Sequence, residues 1–260
     1  MRRLLTFATL FASLLPLPSA AAEVSTQGEL KTAWKSGGEI KLTEDITLSD
    51  NNEAGWPAGS DVTLTGSHEL ILESREVGPM ADALLYCNGK VSISDVTLQN
   101  QTRAYMIEAT SLSLTDVTIA SHSDSSATAA ICTDLTLSGT LTLYLTAPCD
   151  TLLSCSSVSY SSFAGITINI GDGFSFGDGG ATNLILFTGT APQKTEELKC
   201  TVNGPSGYYV VLQTLPGGTV LCLVPEPGSA TLTLIGLIAL LHRRRRPHSK
   251  GIHGGAFVRG

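Results

Sequence analysis

The middle of the chain repeats one tetrapeptide, and this repetition constrains the fold more than any other feature of the sequence. The motif is Asp, any residue, Thr and then Leu or Ile, and it begins at Asp45, Asp61, Asp95, Asp116 and Asp134. If the one long interval hides a degenerate turn, the period is about 16 to 21 residues. Such a period is too short for helical hairpins and is typical of one coil of a β-solenoid.

Two copies agree over their whole length and indicate how a coil bends. Residues 91–98 and 112–119 alternate apolar and polar side chains and then change parity. Alternation indicates a half-buried strand, and the parity change requires a bend between two strands. Asp95 and Asp116 occupy that bend. The sequence favours a turn in which each Asp accepts hydrogen bonds from its own backbone; a column of aspartates that binds cations or sugars is the alternative.

The entry to the array predicts a cap. Residues 29–35 read as a short helix with Leu30, Ala33 and Trp34 on one side, followed by Gly37-Gly38 and a first strand over 39–42. This arrangement resembles the N-terminal cap of pectin-lyase-like right-handed β-helices. The resemblance covers residues 30–170 and implies an all-β, single-domain, right-handed parallel β-helix. A β-sandwich remains the alternative, because strand spacing alone does not separate the two folds.

The amino-acid composition and the strand pattern change at Gly171. Residues 171–180 are rich in Gly, and apolar strands are predicted over 183–187, 208–212 and 219–223, with a hairpin loop over 213–218. We therefore expect the solenoid body to span 23–182 and an antiparallel closing cap to span 183–223.

The N-terminus reads as a secretory signal over residues 1–22. Arg2 and Arg3 are followed by an apolar stretch, which predicts a signal helix, and then by small residues that suit signal peptidase. The cleavage site is assigned to Ala20, Ala22 and Glu23, so that the mature chain begins near Glu23.

The C-terminus carries three features in order. Val224-Pro225-Glu226-Pro227 precedes 14 mostly apolar residues, 228–241, and the basic cluster Arg243, Arg244, Arg245 and Arg246. This run resembles the PEP-CTERM sorting signal of Gram-negative bacteria. The resemblance implies a transmembrane helix transiently anchored in the inner membrane, processing by an exosortase-type protease, and delivery to the cell surface or the extracellular matrix. The tail 247–260, which we expect to be disordered, departs from the family pattern.

The charge distribution excludes one class of partner. Every acidic residue lies between Glu23 and Glu226, and this body carries eight basic and 23 acidic residues, a net charge of −15. Nucleic acid and anionic membrane surfaces would repel it, so no nucleic acid is expected as a partner.

The sequence contains little that indicates catalysis. The body holds two histidines and two arginines, His68, His122, Arg75 and Arg103, and no nucleophile elbow or zinc-protease helix. Gly171-Asp172-Gly173 and the Gly-Asp-Gly-Gly run at 177–180 resemble calcium-binding β-roll repeats, but their spacing favours turns. We expect no catalytic residues, no metal and no cofactor.

Six cysteines lie in the exported body: Cys87, Cys132, Cys149, Cys155, Cys200 and Cys222. Export permits disulfides, and the best candidate pair is Cys149 with Cys155, which flank a short loop. Some of the six are alternatively buried small apolar side chains.

Two functions follow as hypotheses. The first is a non-enzymatic structural or interaction module at the cell surface or in the matrix; Ser and Thr make up 21 of the 51 residues 111–161, which suits glycosylation. The second is a surface β-helix that binds or cleaves an extracellular polysaccharide through exposed aromatics such as Tyr105, Tyr144 and Tyr160.

Overall fold

A computed structural model describes residues 20–49, 55–74, 83–102, 104–121, 128–147, 149, 151–176 and 181–226. Most of the predicted signal peptide, the predicted transmembrane helix, Pro227, Arg243–Arg246 and the tail lie outside these residues. Arg75, Arg103, His122 and the Gly-Asp-Gly-Gly run at 177–180 lie outside them as well.

The described chain is built mostly of strands, with one α-helix and one short 3₁₀ helix, Thr195–Leu198. The α-helix, α1, spans Gln27–Ser36. The strands are β1 (Ala22–Val24), β2 (Gly38–Leu42), β3 (Ile46–Ser49), β4 (Trp56–Pro57), β5 (Val62–Thr65), β6 (Glu69–Ser74), β7 (Leu85–Ser94), β8 (Thr97–Asn100), β9 (Ile107–Ser121), β10 (Ala130–Leu145), β11 (Leu153–Ile170), β12 (Thr182–Thr190), β13 (Thr201–Asn203), β14 (Tyr208–Leu215) and β15 (Gly218–Pro225).

The strands stack as a β-solenoid of about five turns. Each coil contributes up to three strand segments, and each segment pairs in parallel with its counterparts in the neighbouring coils. Segment A comprises 56–57, 85–87, 107–109, 130–132, 153–155 and 185–187; segment B comprises 22–24, 38–42, 62–65, 91–94, 111–115, 134–138 and 157–160; segment C comprises 46–49, 69–74, 97–100, 117–121, 141–145, 166–170 and 201–203. This parallel pairing confirms the predicted solenoid and excludes the alternative, because a sandwich is built from antiparallel sheets.

The length of a coil differs from the sequence prediction. Val62, Val91, Leu112, Leu135 and Val158 are in register, and their numbers differ by 29, 21, 23 and 23. The predicted period of about 16 to 21 was too short, because the tetrapeptide occurs on two different segments. Asp61 immediately precedes segment B and Asp134 begins it, whereas Asp95 and Asp116 lie at the bend before segment C.

The aspartates therefore form no single column, and that alternative was wrong. Their bends were predicted correctly, since Asp95 and Asp116 have φ angles of 56° and 51°. The predicted hydrogen bonds differ, because the carboxylates of four of the five aspartates reach the next coil rather than their own backbone. The pairs are Asp45 Oδ1 with Glu69 N at 2.9 Å, Asp61 Oδ1 with Lys90 N at 2.8 Å, Asp116 Oδ1 with Thr140 N at 2.9 Å, and Asp134 Oδ1 with Ser157 Oγ at 2.7 Å.

The core is a set of apolar columns that run along the solenoid. Alternate residues of every segment point inward, so that residues in register form one continuous stack. Leu64, Ile93, Leu114 and Leu137 make such a column, and each is at most 1% exposed. Burial of such apolar area is the main force that holds successive coils together.

The predicted cap helix is confirmed at the N-terminal end of the stack. Thr26 Oγ1 accepts a hydrogen bond from Glu29 N, while Glu29 Oε2 accepts one from Ser25 N at 2.8 Å. This reciprocal cap fixes the start of α1. Leu30 and Trp34 are fully buried, so the helix covers the apolar end of the first coil.

The C-terminal end closes in a different manner. β12 pairs in parallel with β11 and antiparallel with β15, and β15 pairs antiparallel with β14. The predicted hairpin is formed, but its loop is Pro216-Gly217 rather than 213–218, because β14 extends to Leu215 and β15 begins at Gly218. The sheet that begins at β1 therefore ends at β14, which follows β15 at its far edge.

Asn100 is a buried polar residue at the end of a C segment. Its side-chain amide donates to Ala104 O at 2.6 Å and Thr128 O at 2.8 Å, and its Oδ1 accepts from Thr102 N at 2.9 Å. The side chain is therefore bonded on both its donor and acceptor sides, which offsets the cost of burying it.

Candidate interaction surface

The outward side chains of the B segments form a surface that we call face B. From β5 onward it carries two columns of hydroxyl groups, because residues in register point outward together; in β2 the same two positions are Glu39 and Lys41. The first column is Thr63, Ser92, Ser113, Thr136 and Ser159; the second is Thr65, Ser94, Thr115 and Ser138. The spacing is that of a sheet, about 4.8 Å along a column and about 6.6 Å between columns.

Hydrogen bonds hold some of these hydroxyls across coils. The Oγ1 atom of Thr136 lies 3.0 Å from the Oγ atom of Ser159, and Ser159 Oγ also donates to Leu135 O at 3.4 Å. Short β-branched or small side chains pack densely on a pleated surface, and their hydroxyls keep it wettable.

The outward side chains of the C segments form face C, which is more regular. One of its columns consists of threonine alone over five successive coils: Thr97, Thr118, Thr142, Thr167 and Thr201. The adjacent column, two residues further along each strand, consists of Gln99, Ala120, Tyr144, Asn169 and Asn203. None of these ten side chains is charged, whereas the residue in register with Thr97 in the preceding coil is Glu69.

Face C combines an aromatic ring with amides. Tyr144 is 41% exposed and lies in register with Asn169, whose Oδ1 accepts a hydrogen bond from Asn203 Nδ2 at 3.0 Å. An exposed ring beside amide and hydroxyl groups offers an apolar platform and both hydrogen-bonding polarities.

The three predicted aromatics differ in their surroundings. Tyr160 is 38% exposed, but its ring stacks on Phe163 at a centroid distance of 5.2 Å, and burial raises its pKa to about 12. Tyr105 is half-buried and its carbonyl accepts from Leu84 N. Of the three, Tyr144 is the most exposed.

His68 lies beside an aspartate rather than in a catalytic cluster. Its Nδ1 atom is 3.3 Å from Asp45 Oδ1, the same atom that accepts from Glu69 N. The backbone hydrogen bond, followed by the contact with His68, holds the pKa of the Asp45 carboxyl below its usual value. Within the described residues, no group of three or more His, Cys, Asp and Glu side chains is arranged to hold a metal ion.

Five of the six cysteines are buried, and Cys200 is half-exposed. Cys155 lies in register with Cys132, whereas Cys149 Sγ contacts Asn183 O at 3.4 Å. Burial raises the pKa of Cys155 to about 12, and it raises that of Cys132 as well. The Cys149–Cys155 bond stays a prediction, and the register adds Cys132 as a neighbour that spacing in the sequence did not indicate.

The described parts of the two predicted processing signals lie at the ends of the folded body. The predicted cleavage position after Ala22 falls inside β1, and Glu23 beyond it pairs with Lys41 at 3.2 Å. Val224 and Pro225 end β15, and Glu226 N donates to Gly207 O at 2.7 Å. In the part of the chain that the structure describes, no helix is long and apolar enough to span a bilayer.

Face C was missed by sequence reasoning. The threonines at 97 and 118 were noted only as members of the repeated tetrapeptide, and the period read from that motif does not align the other three.

In comparisons with known proteins, no family model, no curated protein and no solved structure matches the chain.

Proposed function

We propose that the protein is an exported, non-enzymatic interaction module of a bacterial cell surface or extracellular matrix. The observation that carries the proposal is face C, which presents threonine at the same position of five successive coils beside a column of other uncharged side chains. A rigid stack of this kind presents an extended surface, and repetition allows one weak contact to be made several times along a polymer.

The position of the sorting motif supports export. Pro225 is the last residue of β15, so a protease that cuts at or after Pro227 would leave every described strand in place. The PEP-CTERM resemblance and the secretory signal are part of this proposal. In it, signal peptidase and an exosortase-type protease process the chain, and the arginines stay on the cytoplasmic side until release.

The finer description of the fold belongs to the same proposal. We infer a right-handed, pectin-lyase-like β-helix, because α1 caps the first coil in the manner that the resemblance implies. The fold itself supplies no catalytic site.

Mass spectrometry of both termini, on protein recovered from the surface and membrane fractions of its own host, tests export and sorting. The expected product begins near Glu23 and ends between Pro225 and Gly228. A matched variant, Glu226→Ala, should accumulate uncleaved in the membrane fraction. An intact wild-type C-terminus that still carries Arg243–Arg246 would refute the sorting assignment.

A second candidate function, binding of a neutral polysaccharide, is favoured by Tyr144 with Asn169 and Asn203. The ring is exposed, and the two amides are hydrogen-bonded to each other in the neighbouring coils. Stacking on a sugar ring and hydrogen bonds to its hydroxyls would use the groups that face C provides.

Binding to a panel of neutral glucans and mannans tests this candidate. Tyr144→Ala should weaken binding about tenfold, equivalent to about 1.4 kcal/mol, while Tyr144→Phe keeps the ring and the affinity. Thr142→Val on face C should also weaken binding, and its match on face B, Thr136→Val, should not. Equal binding by Tyr144→Ala and the wild type would refute the role of face C, and release of reducing ends would indicate an enzyme.

A further inference from the structure

We propose that β14 is the contact between two copies of this chain, paired edge to edge and antiparallel. Within the described residues β14 pairs with β15 alone, and it is the last strand of the sheet. A strand with one free edge presents backbone donors and acceptors to any further strand that fits. This inference is independent of the function proposed above.

The two ends of the sheet are protected differently. β1 at the opposite end has three residues, and its Glu23 forms an ion pair with Lys41. β14 has eight residues, Tyr-Tyr-Val-Val-Leu-Gln-Thr-Leu, with no charge and no proline. Short, charged strands discourage edge pairing, and long uncharged ones permit it.

The exposed apolar side chains of β14 lie on one face of the strand. Tyr209 is 40% exposed and Leu215 is 37% exposed, and they account for two of the four large exposed apolar side chains among the described residues. Tyr208, Val210 and Leu212, with the opposite parity, pack against the core. The outward side chains of β14 are Tyr209, Val211, Gln213 and Leu215. This face is uncharged, and it carries two exposed large apolar side chains.

Symmetry indicates a second copy as the partner. Two identical strands pair antiparallel only about a twofold axis normal to the sheet, so paired residue numbers must have the same parity. If the axis passes between the Leu212 residues of the two copies, Tyr209 of each copy lies opposite Leu215 of the other. Each exposed side chain then covers the other, and Val211 lies opposite Gln213.

The charge balance supports the same partner. Each body carries −15, so two copies repel each other over most of their surface. β14 itself carries no charge, so pairing through it brings no charged side chain of the strand into the contact. A groove of about 600 Å³ lies between the 3₁₀ helix and β14, and its lining includes Glu196, Lys199 and Tyr209.

Two matched double variants test the proposal on the full chain, kept in mild detergent because residues 228–241 are apolar. Tyr209→Lys with Leu215→Lys places like charges opposite each other in the pair. Tyr209→Lys with Leu215→Glu places opposite charges there and alters the same two positions. Tyr144→Lys, at an equally exposed tyrosine on face C, is the control.

Sedimentation velocity gives the readout. We expect a dimer for the wild type and for Tyr144→Lys, a monomer for the Lys/Lys variant, and a dimer for the Lys/Glu variant that dissociates as salt is raised. A monomeric wild type would overturn the proposal. A dimeric Lys/Lys variant would show that the contact lies elsewhere, and loss of association in both double variants would refute the assigned register.

Discussion

The carboxylate of Asp116 accepts a hydrogen bond of 2.9 Å from the backbone amide of Thr140. Thr140 lies 24 residues later in the chain and one coil further along the solenoid. Asp116 itself has a φ of 51°, in the left-handed region. Asp116→Ala loses the hydrogen bond and strains the backbone, and we expect about 1 to 2 kcal/mol lower unfolding free energy. Asp116→Asn keeps an acceptor and tolerates this φ, so it should cost less than about 0.5 kcal/mol. Urea denaturation of the three proteins measures the difference, and equal costs for Ala and Asn would contradict it.

Gly139 lies against the same carboxylate. It has a φ of 58°, and a Cβ atom there would lie 2.3 Å from Asp116 Oδ1. Gly139→Ala should therefore destabilise the fold by about 2 kcal/mol, through both strain and collision. Gly217→Ala, where a Cβ atom meets nothing within 4 Å, is the matched control. In an Asp116→Ala background the cost of Gly139→Ala should fall, and strict additivity of the two changes would show that no collision occurs.

Asn100→Ala tests the buried amide network. The change leaves the carbonyls of Ala104 and Thr128 without the donors that now reach them at 2.6 and 2.8 Å. We expect a loss of about 3 kcal/mol, since each unsatisfied buried group costs about 1 to 3 kcal/mol. Thr136→Ala, on the exposed face B, should change stability by less than about 0.5 kcal/mol. Thermal melts compare the two, and similar melting temperatures would contradict the structural role of Asn100.

Asp45 makes one contribution to stability that depends on pH. Its folded pKa is lowered by the hydrogen bond from Glu69 N and then by His68, so the ionised form is favoured in the folded state. The contribution is present above the unfolded pKa of about 3.9 and is lost as pH falls through the lower folded pKa. The stability difference between wild type and Asp45→Ala should therefore shrink below about pH 4. A difference that stays constant from pH 7 to pH 2.5 would refute this assignment.

The thiols should react in an order set by burial. Burial raises the pKa of Cys200 to about 11 and that of Cys155 to about 12, and Cys200 is the one half-exposed cysteine of the six. Alkylation at pH 8 without reductant should therefore label Cys200 first, and Cys132 and Cys155 only after unfolding. Peptide mapping of the unfolded protein also tests the predicted bond, because a disulfide would leave Cys149 and Cys155 unlabelled. Rapid labelling of Cys155 in the folded state would contradict the burial.

Much of the architecture follows from local signals in the sequence. The cap helix was predictable because Leu30 and Trp34 have helical spacing and Gly37 ends the run, and the bends were predictable from the parity change at Asp95 and Asp116. These features depend on residues close in sequence. The hairpin at Pro216-Gly217 was predictable for the same reason.

The register and the candidate surface were not predictable in this way. The coil length depends on loops of unequal size, such as the one that makes the step from Val62 to Val91 the longest of the aligned series. Without the register, Thr142, Thr167 and Thr201 cannot be placed beside Thr97, and Tyr144 cannot be placed beside Asn169. The hydrogen bond that the Asp116 carboxylate accepts was missed because its donor, Thr140 N, lies in the next coil. Turn rules consider only residues that are close in the sequence.

The constant number of residues per coil in the later coils has a genetic consequence. Leu112, Leu135 and Val158 occupy the same inward position at intervals of 23 residues. A tandem duplication or deletion of 23 codons in this region keeps every inward side chain inward and adds or removes one threonine of face C. An insertion or deletion of a single residue within one of these strands sends the apolar side chains that follow it to solvent. Length can therefore vary between descendants of this gene in whole coils, while the chemistry of the surface is inherited unchanged.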